Sequence, residues 1–387
     1  MPTADTLILT INPGSTSTKV ALFSALAAPQ PEGVDEPLRE VWAETITHSA
    51  AELAKYSRIA DQFGMRRADI ATLLDRKQTK LAEVGMVVGR GGLFRAQVSS
   101  GTYAINQAMV DEMQAGDPGG QREHASNLGV PLATSFADEA GAGSHYVPRF
   151  IVDPPPVDEM PPVAHLTGWP EITRRALAHV LSVKAAGRKA GRQLGKPYNQ
   201  LNLVITHLGG GISVTAHRLG QMVDENQALD GEGPFSPERS GGLPVGDLAR
   251  ICFSGQYTYA EVMKKIAGRG GLVAHLGTND AREVEQRIAG GDQQAELVYR
   301  AMAYNIGKGV GHMAAALGSR PDALVFTGSL CYSAMLISWI SAQVEWIAPL
   351  IVYPGSLEMQ ALAAGGWRVL QGTEQAKEYV DGGAAAK

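Results

Sequence analysis

Cysteine is nearly missing from this chain. Cys252 and Cys331, far apart, are the only two among 387 residues. That excludes a disulfide scaffold and a Cys-rich zinc site, and it fits a reducing compartment. No apolar run approaches the ~20 residues that cross a bilayer. The first residues carry no basic stretch ahead of a long apolar one, so no signal peptide is expected. The expectation is a cytoplasmic protein with no membrane partner. Positive charge is not in excess either: the net charge is −5, which argues against a nucleic-acid partner. Several nucleotide signatures are missing as well. Gly195-Lys196 and Gly307-Lys308 lack the upstream glycine spacing and the following Ser or Thr of a Walker A loop. No GxGxxG opens a helix after a strand, and no HRD or DFG is present.

What remains is ordinary in bulk and specific in detail. Hydrophobic residues make up 44% and charged residues 19%, enough for a full core, and the length suits two domains. The 45 glycines cluster in motifs rather than in low-complexity tracts. The stretch Leu7–Phe23, LILTINPGSTSTKVALF, reads as strand, tight turn, strand. Its turn collects backbone N–H groups, the hydroxyls of residues 15–18 and the Lys19 ammonium. Such donors suit phosphate oxygens. A solvated hairpin rich in Ser and Thr would read the same way. A second stretch, Leu203–Val214, LVITHLGGGISV, has the same build, and a third strand, Ala323–Thr327, runs into Gly328-Ser329. Three strand-to-Gly/Ser turns point to a duplicated fold whose loops converge on one ligand.

Strand and helix patterns alternate along the chain, so the fold class is α/β. Strands are expected at Val41–Ile46, Val84–Val88, Phe150–Asp153 and Leu350–Tyr353. Helices are expected at Ala50–Gln62, Arg67–Leu74, Asn106–Gln114, Glu171–Leu194, Gly246–Ser254, Thr258–Ile266, Ala281–Ala289, Gln293–Ala316 and Tyr332–Val344. A variable Pro-containing stretch covers Ala25–Pro37, a polar run covers Gln121–Asn127, and the tail Asp381–Lys387 is expected to fray. The irregular segment Asp230–Pro244 is long for a compact domain, and such segments are usually functional or disordered. The prolines after Asp153 and at 161–162 mark a boundary. The first domain is expected over 1–160, joined by the C-terminal segment 360–387, and the second over 161–359.

Phosphate turns set in β-hairpins are those of the actin, heat-shock ATPase, sugar kinase and acetate kinase superfamily. Within it, NPGSTSTK (12–19), VGRGG (88–92), REHASNLG (122–129), FIVDP (150–154), HLGGGISV (207–214), ALDGEGPFSPERSGGLP (228–244), CFSGQYTY (252–259), GRGGLVAHLGTND (268–280) and VYPG (352–355) resemble the butyrate kinases. They resemble the acetate kinases more distantly. The resemblance covers nearly the whole chain. It implies two duplicated actin-like (ribonuclease H-like) domains with a nucleotide cleft between them. The implied reaction is reversible phosphoryl transfer between ATP and a short-chain fatty acid, giving an acyl phosphate and ADP with Mg²⁺. The partners are then small molecules, a carboxylate and its acyl phosphate, and a homo-oligomer, dimer or higher, is expected.

Site residues follow from the same resemblance. Asn12, Ser15, Ser17 and Lys19 match the first phosphate loop; His207, Gly209, Gly210 and Gly211 match the second. Arg90 matches the arginine that holds the substrate carboxylate, where bidentate geometry favours Arg. Asp153 matches the acidic residue that orients the reacting groups and helps hold Mg²⁺, with Glu358 the second acidic residue near the metal. His179 matches a hydrogen-bond donor to the transferring phosphoryl group. Asp280 and Arg282 match residues beside the adenosine, and Gly328 the turn under the adenine. Two departures stand out. Acetate kinases carry an essential arginine where this chain has Pro244, and Arg239 is the expected substitute. The usual Thr-Gly-Gly turn reads Thr327-Gly328-Ser329, which costs steric energy if position 329 needs a positive φ. The acyl pocket is expected at Gly92, Ala125, Asn127, Ala178 and Pro237, with bulk lost at three walls to admit a chain longer than acetate. Two extra buried methylenes at ~0.8 kcal/mol each favour butyrate about tenfold. The alternatives are an acetate, propionate or branched-chain acid kinase, and a non-catalytic nucleotide-binding protein of the same fold.

Overall fold

The computed structural model describes residues 6–26, 38–117, 123–142 and 145–380. The expected fraying tail, most of the variable stretch after Ala25, and the start of the polar run at 121 lie outside the described residues. The chain divides into two units, Met1–Val157 with Glu358–Lys387, and Asp158–Leu357.

The first unit opens with β1 (Leu7–Pro13), β2 (Ser17–Ala25) and β3 (Leu38–Thr47), a meander in which each strand pairs antiparallel with the next. After the short α1 (Ala50–Leu53) and α2 (Phe63–Arg76) comes β4 (Val84–Arg90), parallel to β1. Then follow β5 (Thr102–Ala104), α3 (Gln107–Ala115), α4 (Gly129–Gly141) and β6 (Arg149–Val152). The sheet order is β3-β2-β1-β4-β6-β5. β1 and β4 are central and buried on both faces, so they are near-continuous apolar runs; β3, the edge strand on one flank, alternates in exposure. Leu9, Ile11, Val20 and Val87 join Leu128, Val130, Leu132 and Phe136 in one core.

The second unit begins with α5 (Pro162–His165) and α6 (Val180–Gln193), then a second meander: β7 (Asn202–Leu208), β8 (Ile212–Arg218) and β9 (Gln221–Glu225). Helices α7 (Val245–Cys252), α8 (Tyr259–Ile266), α9 (Gly271–Leu276), α10 (Ala281–Ala289) and α11 (Gln293–Leu317) lead to β10 (Ala323–Gly328). α12 (Ala334–Val344) and β11 (Leu350–Pro354) complete a sheet ordered β11-β10-β7-β8-β9. α11 shows why its residues are helical. Ala295, Val298, Met302, Ile306, Val310, Met313 and Leu317 recur three and four apart and are buried. Each such Val, Leu, Ile or Met is worth ~1.5–3 kcal/mol on burial. Asp292 caps its start by accepting from the Ala295 N–H at 3.0 Å, and Gly318 ends it at φ 66°. α13 (Glu358–Leu370) returns the chain to the first unit.

Two helix expectations need correction. The helix expected over Ala50–Gln62 is only α1 and a 3₁₀ turn at Ala60–Gln62. Between them tertiary partners replace helical ones: the Ile59 N–H donates to Glu123 at 2.7 Å, and Arg58 donates to the Ala115 carbonyl. The helix expected from Glu171 begins at Val180, so His179 is its cap and not an interior residue. Arg174 holds the preceding segment extended by donating to the Ala164 carbonyl at 2.9 Å and to Asp224 at 2.9 Å.

Candidate active site

The first loop joins β1 to β2. The Gly14 N–H donates to the Ser17 carbonyl at 2.7 Å, closing a turn that leaves Ser15 and Thr16 exposed. Lys19 is half-buried and has no side-chain partner among the described residues. Asn12 donates to Glu358 at 2.8 Å.

Glu358 starts α13, and its other oxygen accepts from Arg90 Nη1 at 2.6 Å. Arg90 ends β4 and is buried. Its Nε is buried without a hydrogen-bond partner, and no described group accepts from Nη2. One edge of the guanidinium is therefore unused, and that edge matches a carboxylate in bidentate fashion. Asp153 follows β6, fully buried, at φ 42°. Its backbone N–H donates to the Gly101 carbonyl at 3.0 Å while its Oδ1 accepts from the Gly101 N–H at 2.7 Å. A non-glycine residue held in the left-handed region costs ~1–3 kcal/mol, and such strain gathers at functional sites.

The expectation that Gly92 opens space for acyl methylenes needs correction. A Cβ there would meet Met113 Sδ at 2.3 Å and Asn127 Oδ1 at 2.7 Å. The volume is filled by those neighbours. Asn127 is itself fixed, its Oδ1 accepting from the Leu93 N–H at 2.9 Å. Ala125, Ala178 and Pro237 are all buried; Ala125 belongs to the first unit, Ala178 and Pro237 to the second.

In the second unit, His207 stands near the end of β7, stacked on His179 with ring centroids 4.1 Å apart and planes 12° from parallel. Ser213 fixes His179 twice: its Oγ accepts from the His179 N–H at 3.2 Å and lies 2.8 Å from Nδ1. Gly209–Gly211 follow; Gly210 is exposed, and its carbonyl accepts from Ser236 Oγ at 2.6 Å. Arg239 packs beneath this loop, where a Cβ at Gly211 would meet its Nη1 at 2.0 Å. Arg239 donates to the Ala228 carbonyl at 2.6 Å. Burial holds its pKa below the usual value.

A cavity of about 740 Å³ opens beside the start of α10. Asp280 caps that helix, and Arg282 folds back onto it at 2.7 Å. Those Arg282 hydrogen bonds bring the Asp280 pKa to about 2. Ser329 and Ser333 line the same cavity. Gly328 takes φ 107°, and a Cβ there would strike the Leu208 carbonyl at 2.2 Å. Ser329 is not among the described residues with positive φ, so the steric cost foreseen for it does not arise; its exposed side chain faces the cavity.

Sequence reasoning missed Arg66. This side chain is fully buried and donates to the Gly14 carbonyl at 2.9 Å and the Ser17 carbonyl at 3.0 Å, behind the first loop. A signal was available. Arg66 shares a spacing of four, seven and eight with the buried Ile70, Leu73 and Leu74, so a cation stands on the apolar stripe of α2.

Among the described residues, no cluster of three or more His, Cys, Asp or Glu could hold a metal by itself, and no helix is long and apolar enough to cross a membrane. Residues 168–345 match the model of the acetokinase family. The chain is 46% identical over 372 residues to a probable butyrate kinase of Clostridium botulinum (strain Alaska E43 / Type E3), covering 96% of this chain and 99% of that one. It is 44% identical, with the same coverage, to butyrate kinase 2 of Clostridium acetobutylicum. Its fold is similar to the acetate kinase of Porphyromonas gingivalis, at TM-score 0.70 and 20% identity over 95% of this chain and 100% of that one. It is also similar to a propionate kinase from Francisella tularensis subsp. tularensis SCHU S4, at TM-score 0.67 and 21% identity over 93% and 98%.

Proposed function

This chain belongs to the acetokinase family, and from that premise we propose that it is a butyrate kinase, converting butanoate and ATP reversibly to butanoyl phosphate and ADP. The observation that carries the reading is the unused Nε/Nη2 edge of Arg90, a buried cation poised for a carboxylate. In this reading the acid binds there, and one carboxylate oxygen attacks the γ-phosphorus in line. The new O–P bond forms as the bond to the β-phosphate oxygen breaks, and ADP leaves with that electron pair. Such transfer asks for alignment and positive charge more than for covalent chemistry. Lys19, with Asn12, Ser15 and Ser17, and the loop His207–Gly211 are assigned to the phosphates. His179 is assigned to hydrogen-bond the transferring group and Arg239 to support the second loop. Asp280, Arg282 and Gly328 are assigned to the adenosine. Asp153 and Glu358 offer hard carboxylate oxygens, and a sparse acidic set suits Mg²⁺, which keeps several waters. When bound, that ion neutralises charge on the β- and γ-phosphates.

Hydroxylamine trapping of acyl phosphate, run over C2 to C5 acids, tests the reading. Hydroxamate should form from ATP with butyrate as the preferred acid. Preference for acetate or propionate would move the assignment to those kinases, and no product with any acid would leave only nucleotide binding. The proposed location is the cytoplasm, where ATP is made. A homo-oligomer is proposed as well: α7 buries no residue, and Val245, Phe253 and Tyr259 around it are exposed at 79%, 92% and 73%. An apolar surface of this kind is one that a second copy would cover. Sedimentation of Phe253→Asp should then give a smaller species than the wild type.

A further inference from the structure

Arg66 is a buried cation without a carboxylate. Its Nη1 donates to the Gly14 carbonyl, the Ser17 carbonyl and Thr18 Oγ1 at 2.9, 3.0 and 3.0 Å. Its Nη2 reaches the Ser15 carbonyl at 3.3 Å and Gln62 Oε1 at 2.9 Å, and its Nε donates to Gln62 Oε1 at 3.1 Å. Every one of these acceptors is neutral. Asp69, the nearby acid, pairs instead with His48 Nδ1 at 3.2 Å.

That pairing fixes the protons. Asp69 accepts from Nδ1, so His48 Nε2, 2.9 Å from Thr18 Oγ1, accepts the Thr18 proton while Thr18 accepts from Arg66. His48 stays neutral, its pKa lowered by burial and then by the Arg66 charge. Arg66 thus keeps its positive charge with no carboxylate in hydrogen-bond contact; Asp69 acts on it only through space, and burial lowers its pKa. A buried unpaired charge is costly, so its retention asks for a compensating use.

The loop geometry supplies one. In a planar trans peptide the carbonyl and the following N–H point in opposite directions. Arg66 draws the carbonyls of Gly14 and Ser15 inward, so the N–H groups of Ser15 and Thr16 turn outward. Neither donates to a described group. Outward N–H groups backed by a cation make an anion cradle. In the second unit a buried cation also lies against the loop: Arg239, without an ion pair among the described residues, packs under Gly211, although it donates to the Ala228 carbonyl and not to the loop.

We propose that Arg66 is the positioning residue of the first phosphate loop, aiming the Ser15 and Thr16 N–H groups at the nucleotide's phosphates and adding its own charge to their attraction. The proposal rests on the assignment of this loop to phosphate. Lys cannot replace it, because an ammonium has three donors and no planar fork to span these acceptors. Steady-state kinetics of Arg66→Lys, beside thermal melting with and without ATP, tests it. The expected result is a KM for ATP raised about tenfold or more with kcat reduced, and a KM for the acid within about twofold of wild type. The ATP-induced rise in Tm should shrink in parallel. A folded variant with unchanged ATP kinetics, or with both KM values raised alike, overturns the proposal. If Arg66→Lys fails to fold, Gln62→Ala keeps the buried charge but frees the guanidinium plane. It should show a smaller rise confined to the KM for ATP, and no such rise overturns the proposal. Wild-type protein that is stabilised by ATP but makes no acyl phosphate would defeat the functional reading and leave this one standing on the melting data.

Discussion

Strands β1, β2, β3, β4 and β6 of the first unit and β7, β8, β9, β10 and β11 of the second run in the same spatial order. The last pair in each is Arg90 with Val152 and Gly328 with Pro354. Arg90 and Gly328 therefore occupy one position in the repeat, and so do the next residues, Asp153 and Gly355. Both of the latter have positive φ, 42° and 93°. In the second unit the glycine takes that conformation without strain, while in the first an aspartate is forced into it. A shared backbone thus carries a cation and a strained carboxylate on one side of the duplication, and two glycines on the other. The lesson is that the fold fixes the positions, and side chains divide the labour. Gly328 leaves no room for a Cβ against Leu208, whereas Arg90 presents a fork for an anion.

The faces covered by α13 in the first unit and α6 in the second differ too. Gly365 and Gly366 of α13 lie on Val152, Met86 and Val88, with Thr102 Oγ1 beside them, a mostly apolar contact with no room for larger side chains. The same role in the second unit falls to α6, whose Lys184 donates to Glu159 at 2.6 Å over a sheet face bearing Ser213, Thr215 and His217. His217 is buried between the Tyr198 hydroxyl and Thr215 Oγ1, both at 2.6 Å. Burial and the Lys184 charge keep its pKa well below the usual value, and burial holds Glu225 well above.

Arg90→Ala breaks the comparison most severely, by making position 90 as bare as Gly328. The expected loss is about a hundredfold or more in kcat/KM for the acid, ~3 kcal/mol, with ATP binding retained. Equal kcat/KM for variant and wild type would refute the clamp. Asp153→Gly copies the second unit's residue into the first. Activity should drop by more than about tenfold while Tm barely moves, because ~1 kcal/mol of relieved strain offsets about one lost hydrogen bond to Gly101. A large fall in Tm would show that the aspartate is structural. Gly92→Ala should destabilise the first unit by about 1–3 kcal/mol through contact with Met113 and Asn127. It should lower turnover of acetate and butyrate together, and a selective loss of butyrate would restore Gly92 as a chain-length determinant. The smallest effect is expected from Glu225→Gln. A carboxyl whose folded pKa is raised keeps its proton while the unfolded chain loses it, so stability falls as pH rises above the ordinary value of about 4.5. Glu225→Gln should therefore gain Tm relative to wild type at about pH 8 and not at about pH 4. His217 acts in the opposite sense, with stability lost as pH falls below about 6.5. A mutant-to-wild-type difference independent of pH would contradict the assigned protonation.

The two glycine-turn hairpins, the α/β class and the family were legible in residues 7–23, 203–214 and 228–244, because strand runs and glycine turns are local signals. His179 was read as helical because the sequence shows its polarity but not the Ser213 hydroxyl that takes its N–H. The room at Gly92 was misread because Met113 and Asn127, which fill it, are remote in sequence. Arg66 was readable in principle from its place on an apolar stripe, yet its partners lie some fifty residues back in the loop it supports.

By itself the sequence determined where strands end in donors and glycines, and which side chains carry charge. Those are properties of neighbours along the chain, set by periodicity and backbone freedom. Only the tertiary structure decided that Glu358 takes Nη1 of Arg90 and leaves its other edge unused, that Asp153 sits at a strained φ, and that Arg66 stands behind the loop without a carboxylate. Each depends on groups far apart in sequence meeting in a space without water. There the energy of a charge is set by what faces it, and no local pattern records that.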